Sequence, residues 1–235
     1  TETATEKAKD LVRMAVAKVT LHSPLKETEL RVHEKALVVG GGISGMVAAK
    51  SFADQGYGVY LVEETSSLGG QAKKIHRTWQ GEDVQVKLAE LIESCRSDAN
   101  IDIRLETRLS EVQGFVGNFK TTLASRDTTE AVEHGVAVIA TGASEFKPNE
   151  YLYEKDPRVL THLDLDQRLT GDEGSLAGIG TAVFIQCVGS REPDRPHCSR
   201  VCCTHSMVSA LRLKEMNPEM GVYILYRDIR TYGER

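Results

Sequence analysis

Long apolar runs are missing from this sequence. No stretch reaches the ~18 residues that a membrane-spanning helix needs, so no transmembrane segment is expected. The N-terminus is charged and carries no apolar signal-peptide core, which leads to the expectation of a cytoplasmic protein. An excess of positive charge is missing as well. Lys and Arg number 29 against 34 Asp and Glu, for a formal net charge of −5, so nothing favours non-specific binding to nucleic acid. Hydrophobic residues make up 40% and charged residues 27%, ordinary proportions for a globular chain. A length of 235 residues leaves room for one or two domains with a sizeable core. Cysteine is nearly absent outside one place: of five, four lie between 187 and 203. Thiols gathered so tightly in a cytoplasmic-type chain suggest metal or redox chemistry before structural disulfides.

What is present is organised around Lys35–Gly45, KALVVGGGISG. Ala36–Val39 is short, apolar and β-branched, and it runs straight into glycines at 40, 42 and 45 in the spacing G-x-G-x-x-G. A helical pattern follows (Met46, Val47, Ala49, Phe52, Ala53), then a second apolar run, Val59–Val62, ending at Glu63. Strand, glycine turn, helix, strand and acid together predict a dinucleotide site. Gly40 permits the tight turn, Gly42 lets backbone approach a pyrophosphate, and Gly45 lets the helix pack close to the sheet. The helix N-terminus at Ile43 and Ser44 offers free N–H groups and the positive end of its dipole. Glu63 stands where a carboxylate accepts from ribose hydroxyls; Glu64 is its rival, and the last inward position of the strand favours Glu63.

Along the rest of the chain, Lys7–Val19 reads as an amphipathic helix with Leu11, Val12, Ala15, Val16 and Val19 on one face, and Leu25–Glu34 as an extended linker. After the acid comes Leu68-Gly69-Gly70-Gln71, where two glycines allow close backbone approach to a ligand or simply a turn. Flavin enzymes of the disulfide-reductase fold have a similar segment near pyrophosphate and flavin. The C-x4-C redox pair that comes next in glutathione-reductase-like enzymes is missing, which argues against a dithiol relay there. Val84–Cys95 reads as a helix, with Cys95 a small buried hydrophobe. Ile101–Val112 and Asn118–Ala124 read as alternating strands, and Val136–Ala140 as a buried strand leading into Thr141-Gly142. The Ala140-Thr141-Gly142 stretch resembles the point where the chain leaves the flavin domain in two-dinucleotide flavoproteins. Asn149–Gly180 reads as a crossing segment with a short helix, Leu163–Leu169.

A second unit repeats the plan: strand Thr181–Gln186, a helical pattern from about Ser206 to Asn217-Pro218, and strand Val222–Tyr226. Its turn has no glycine fingerprint, so this unit is not expected to hold a nicotinamide cofactor in the usual way. In its place stand Cys187, Cys198, Cys202 and Cys203, spaced C-x10-C-x3-C-C. Thiolates suit iron–sulfur clusters and zinc. Adjacent Cys202-Cys203 fits poorly with structural zinc, whose ligands come as C-x2–4-C pairs. Zinc, free thiols and a strained disulfide between neighbours remain as alternatives to a cluster. Arg191, Arg195, Arg200, His197 and His205 would stabilise thiolates.

KALVVGGGISGM, GYGVYLVEE, LGGQ, VIATGA and above all QCVGSR…CSRVCC resemble the A subunit of heterodisulfide reductase and its relatives, from about Lys7 onward. The resemblance implies an α/β fold: a Rossmann-like FAD/NAD(P)-binding fold of the disulfide-reductase and thioredoxin-reductase type, with a second βαβ unit. It implies a division into helix and linker (1–34), partial FAD domain (35–148) and incomplete cysteine-loop unit (149–235). It implies FAD on Gly40, Gly42, Ile43, Ser44, Gly45, Glu63 or Glu64, Gly69, Gly70, Gln71, Ala140, Thr141 and Gly142. It implies one [4Fe–4S] cluster on Cys187, Cys198, Cys202 and Cys203, and no catalytic side chain of the chain's own. The implied partners are the other heterodisulfide reductase subunits and electron donors of the ferredoxin, hydrogenase or formate dehydrogenase type. Relatives of this family continue beyond the second unit, so the chain reads as a truncated fragment. FAD is then expected to bind weakly or not at all, neither FAD nor the cluster is required to be present in the fragment, and the fragment alone is expected to be inactive. Two other functions fit fewer of the motifs: an apo scaffold that docks partner subunits, and an NAD(P)H-dependent flavoreductase.

Overall fold

The computed structural model describes residues 2–24, 29–171, 173–176 and 178–231. The chain divides into two compact units, 1–31 and 32–235. In the first, helix α1 (Glu2–Thr20) has no buried residue, and its stripe of Leu11, Val12, Val16 and Val19 is exposed. Ion pairs Lys9–Glu6 and Arg13–Asp10 run along its polar side. Of the expected linker Leu25–Glu34, residues 25–28 lie outside the described ones, and 29–34 form no helix or strand.

The second unit opens with strand β1 (Lys35–Val39), helix α2 (Ile43–Asp54), strand β2 (Gly58–Val62), helix α3 (Val84–Arg96) and strand β3 (Ile101–Arg104). An antiparallel meander comes next, β4 (Arg108–Phe115), β5 (Asn118–Ala124) and β6 (Thr129–His134), and strand β7 (Val136–Ile139) returns to the first sheet. The parallel sheet has the order β3-β2-β1-β7, that of a dinucleotide-binding half. Both its faces are covered, which is why β1 and β2 read as continuous apolar runs rather than as alternations. Ala36, Val38, Val59 and Leu61 point to α2 and α3, where they meet Met46, Ala49, Leu88 and Cys95. Leu37 and Val62 point the other way, onto Leu123 and Val132 of the meander. Helix α3 starts at Asp83, whose carboxylate accepts from the amides of Gln85 and Val86.

Three expectations need correction. The run Ile101–Val112 is two strands in two sheets: the backbone turns at Glu106, in a left-handed conformation (φ 49°), and β4 starts a separate ladder. The third meander strand, β6, was not expected. Strand β7 is not buried: Val136 is 42% and Ile139 69% exposed, because β7 is the edge of its sheet and, among the described residues, pairs with β1 alone.

The crossing segment holds helix α4 (His162–Gly171) and a 3-10 turn at Glu173–Leu176. Thr161 caps α4 reciprocally: its hydroxyl accepts from the Asp164 amide, and the Asp164 carboxylate accepts from the Thr161 amide. Strand β8 (Thr181–Ile185) pairs in parallel with β9 (Gly221–Leu225), and helix α5 (Cys202–Met216) connects them. Helix α5 begins at the paired cysteines, earlier than the expected Ser206. One face of this two-stranded sheet packs Phe184 on Leu176, Leu213 and Met220. On the other face Val183, Ile185, Tyr223 and Leu225 are exposed.

Candidate dinucleotide site and thiol loop

The first group of expected site residues converges at the C-terminal ends of β1, β2 and β7, the usual ligand crevice of an open α/β sheet. The Gly40 amide donates to Val62 O at 2.7 Å, so the turn hangs from the end of β2. Gly40 is left-handed (φ 108°), and a Cβ there would stand 2.2 Å from Ala140 O. A Cβ on Gly45 would stand 1.8 Å from Gly40 O. These two glycines are therefore demanded by the protein's own packing. Gly42 is different: its φ is −75° and a Cβ would meet nothing within 4 Å. Its open side faces the space a pyrophosphate would take. It is also the N-cap of α2, with no side-chain cap, and Ile43 and Ser44 in the first turn are exposed.

Glu63 is buried. It accepts from the Gly41 amide at 2.7 Å, and from the Thr65 amide and hydroxyl, each at 2.8 Å. Burial would push this carboxyl up; the hydrogen bonds from Thr65 and Gly41 outweigh it and hold the group below the usual carboxylate range. Oε1 takes both Thr65 bonds and Oε2 takes the Gly41 bond, which leaves Oε2 a lone pair for a ribose hydroxyl. Glu64 points to the surface and pairs with Arg108, so the two acids separate as the strand position suggests.

The Leu-Gly-Gly segment lies on the glycine turn. The Gly69 amide donates to Gly41 O at 2.8 Å, and a Cβ on Gly70 would come within 3.2 Å of Gly42 Cα. Gln71 Nε2 donates to Ala143 O at 3.0 Å, which brings the segment to the exit strand. Ala140 continues the β7 ladder by donating to Val39 O, Thr141 N lies beside Gly40, and Gly142 is left-handed (φ 67°). The residues fit the adenosine-diphosphate half of a dinucleotide. A groove of about 580 Å³ lies at the opposite end of the strands, lined by Lys35, Gly58, Tyr60 and Glu133. It takes no part in this arrangement.

The thiols occupy one loop and the start of α5. Cys187 comes just after β8 in a left-handed conformation (φ 64°) and is buried. The Ser190 amide donates to Cys187 O, closing a turn, and Arg191 Nη1 lies 3.9 Å from Cys187 Sγ. Cys198 accepts from the Arg200 amide, and Ser199 Oγ lies 3.6 Å from Cys202 Sγ. Cys203 is buried; burial first, then nearby Cys202 and Cys187, push its thiol up. All five cysteines are free. Among the described residues no group of three or more Cys, His, Asp or Glu side chains stands close enough to hold a metal ion. The donor set is soft, yet the four sulfurs are not drawn together into a cage.

Sequence reasoning missed the polar layer beneath this loop. Gln186 Nε2 donates to Ser206 Oγ, and Ser206 Oγ meets His162 Nε2 at 3.2 Å. His162 stacks between His205 and Phe184, and His205 Nε2 bonds Asp166 Oδ2 at 2.9 Å. Among the described residues, Gln186 Oε1 is buried with no hydrogen-bond partner. Only the histidine and acid content of the chain could have hinted at it, because the contacts join α4 to α5 across the fold.

The fold and the glycine turn define a Rossmann-like dinucleotide-binding domain of the α/β class, and residues 38–93 match the family NAD(P)-binding Rossmann-like domain. Curated relatives similar to this chain include A subunits of heterodisulfide reductases. The chain is 28% identical to the A subunit of the H2:CoB-CoM heterodisulfide,ferredoxin reductase of Methanothermobacter marburgensis, over 99% of this chain and 49% of the relative. It is 26% identical to the iron-sulfur A subunit of the CoB–CoM heterodisulfide reductase of Methanocaldococcus jannaschii, again over 99% and 49%. The family resemblance read from the sequence is thus borne out. The chain spans about half the length of these relatives. The first match runs over 325 positions, whereas this chain has 235 residues, so the relative carries residues within the matched span that this chain lacks. Among solved structures, L-proline dehydrogenase from P. horikoshii is similar over 91% of this chain and 40% of its own, at 20% identity and a TM-score of 0.47. No helix among the described residues is long and apolar enough to cross a membrane.

Proposed function

We propose that this chain is the flavin-binding part of an electron-transfer subunit of a heterodisulfide reductase-type complex. The observation that carries the reading is the convergence of Glu63, Gly69 and Ala140 on one glycine turn whose Gly42 side is open. FAD, when bound, supplies the redox chemistry. The chain's own residues bind and orient it: amides of the α2 N-terminus take the pyrophosphate, Glu63 takes the ribose, and the Gly69–Gln71 and Ala140–Gly142 backbones flank the remainder of the cofactor. Cys187, Cys198, Cys202 and Cys203 would hold one [4Fe–4S] cluster in this reading once the loop drew them together, and the cluster would supply one-electron transfer between the flavin and partner subunits. The donors are of the ferredoxin, hydrogenase or formate dehydrogenase class. Electron-pair splitting at the flavin belongs to the longer protein, and the location is cytoplasmic.

The test is anaerobic reconstitution with ferrous iron and sulfide, together with titration by FAD, on this chain and on its longer parent. A broad visible absorption that disappears when Cys187 or Cys203 is replaced by Ser supports the cluster. Protein that takes up neither iron nor flavin in either form overturns the reading. A second reading, a cofactor-free scaffold that docks partners, has the exposed β8–β9 face in its favour. Colourless protein that still captures the partner subunits would support it.

A further inference from the structure

Phe146 lies in the segment between β7 and α4, and its ring is pressed against the bare Cα of Gly189. A Cβ on Gly189 would stand 2.1 Å from Phe146 Cδ1, 2.2 Å from Cε1 and 2.7 Å from Cγ. Gly189 is also left-handed (φ 69°). The guanidinium of Arg195 stacks on the same ring, 4.2 Å from its centroid. Gly189 sits in the turn that the Ser190 amide closes on Cys187 O, and Arg195 lies between Cys187 and Cys198 in sequence. One aromatic side chain from outside the thiol loop is thus gripped by two residues of that loop.

The loop needs such a hold. Cys187, Arg191 and Arg200 all have left-handed backbone (φ 59–64°), a conformation that is strained for side-chain-bearing residues and persists only where the surroundings enforce it. The loop is tied to the C-terminal segment at its middle: Arg191 pairs with Asp228, and Arg227 reaches Arg191 O and Glu192. Phe146 holds it on either side of those residues, at Gly189 and Arg195. Just upstream, Ala143 O accepts from Gln71, whose turn lies on Gly42. A path therefore runs from the dinucleotide turn through Gln71 to Ala143, along three residues of chain to Phe146, and from its ring to Gly189 in the turn of Cys187.

We infer that Phe146 is a clamp: a positioning residue that holds the thiol loop against the exit of the first unit and so fixes where Cys187 stands relative to the glycine turn. What the clamp separates, flavin and cluster, rests on the function proposed above; the clamp itself requires neither. Phe146 is 38% exposed and belongs to none of the hydrophobic clusters. Its loss should free the loop without melting the cores.

The experiment measures the alkylation rate of each cysteine in the whole, fully reduced chain, at one pH, with peptide-resolved mass spectrometry. Cys95 of the first core is the internal reference. Phe146→Ala is expected to raise the Cys187 rate about tenfold, which corresponds to ~1.4 kcal/mol less for local opening, and to leave Cys95 unchanged. Phe146→Tyr keeps the ring and should behave as the parent; Arg195→Ala removes one side of the grip and should fall between. The clamp is overturned if Phe146→Ala leaves Cys187 as slow as before. It is equally overturned if Cys95 accelerates together with Cys187, which reports general loosening, or if Phe146→Tyr acts like Phe146→Ala. None of these readouts uses bound flavin or iron, so a failure of the clamp is distinguishable from a failure of the cofactor assignment.

Discussion

The Glu63 carboxylate and the Gly41 amide are joined by a 2.7 Å hydrogen bond. The acid that a ribose would use thus also ties down the glycine turn from inside the protein. Replacing Glu63 by Gln keeps one acceptor and removes the charge. The expected cost is about 1.5–3 kcal/mol of folding stability, the range for hydrogen bonds to a charged group. The folded carboxyl is held below its ordinary value, so its contribution is complete above the unfolded value near 4.5 and is lost as pH falls through the lower folded value. Urea unfolding of parent and Glu63→Gln at pH 7 and pH 3.5 checks both points. The gap between them should narrow in acid, and a gap that is equal or wider there would contradict the assigned hydrogen bonds.

Gly42 and Gly45 belong to one motif but answer to different demands. Gly45→Ala puts a Cβ 1.8 Å from a backbone oxygen that has nowhere to go, and a loss of at least ~3 kcal/mol is expected. Gly42→Ala meets nothing within 4 Å, and as a helix N-cap it should cost about 1 kcal/mol or less. Its methyl would stand where the pyrophosphate approaches. Flavin fluorescence titration should then show at least about a tenfold loss of affinity, on the order of 1.4 kcal/mol, in a protein that melts almost like the parent. A Gly42→Ala protein that binds FAD normally would move the ligand off this turn.

His162 is pushed down to about 4, by burial first and by His205 second, with Asp166 opposing. The unfolded imidazole takes up a proton near 6.5, so the folded state loses stability as pH falls through that value. Between pH 7 and pH 5 the loss attributable to this one group is about 2 kcal/mol. His134 is also held down by burial and leaves a residual slope of the same sign. Denaturation midpoints of parent and His162→Gln across that interval should diverge at pH 7 and converge toward pH 5. Parallel curves would mean that His162 is not buried as a neutral ring.

Much of the site was legible because its demands are local. The glycines at 40, 45 and 70 and the acid at 63 are each fixed by backbone close to them in sequence or one strand away, and Gly42 completes the spacing that marks the motif. What escaped depends on contacts no window contains. The switch from β3 to β4 occurs at Glu106, where no glycine or proline marks the left-handed turn; the Glu106 amide instead bonds Thr65 O across the fold. Strand β6 hides because four of its six residues are exposed, leaving only Val132 and His134 inward. The early start of α5 hides because Cys202–His205 has no apolar period, and the His162–Ser206–Gln186 layer exists only once α4 has crossed to α5.

The β8–β9 sheet offers a last test of which face carries the second core. Parallel strands are normally covered on both sides, yet here Val183 and Tyr223, which pair in register, are 54% and 59% exposed. Phe184, the next residue along β8 and on its opposite face, is buried on Leu213 and Met220. Val183→Thr keeps β-branching and gives up little buried area, so the isolated chain should lose no more than about 0.5 kcal/mol, the range of ordinary surface changes. Phe184→Ala should cost about 3–5 kcal/mol. The same Val183→Thr change measured in the longer parent protein reads out what covers this face. A cost there well above that in the isolated chain would show that the parent buries Val183, whereas equal small costs would show that the face stays open to water.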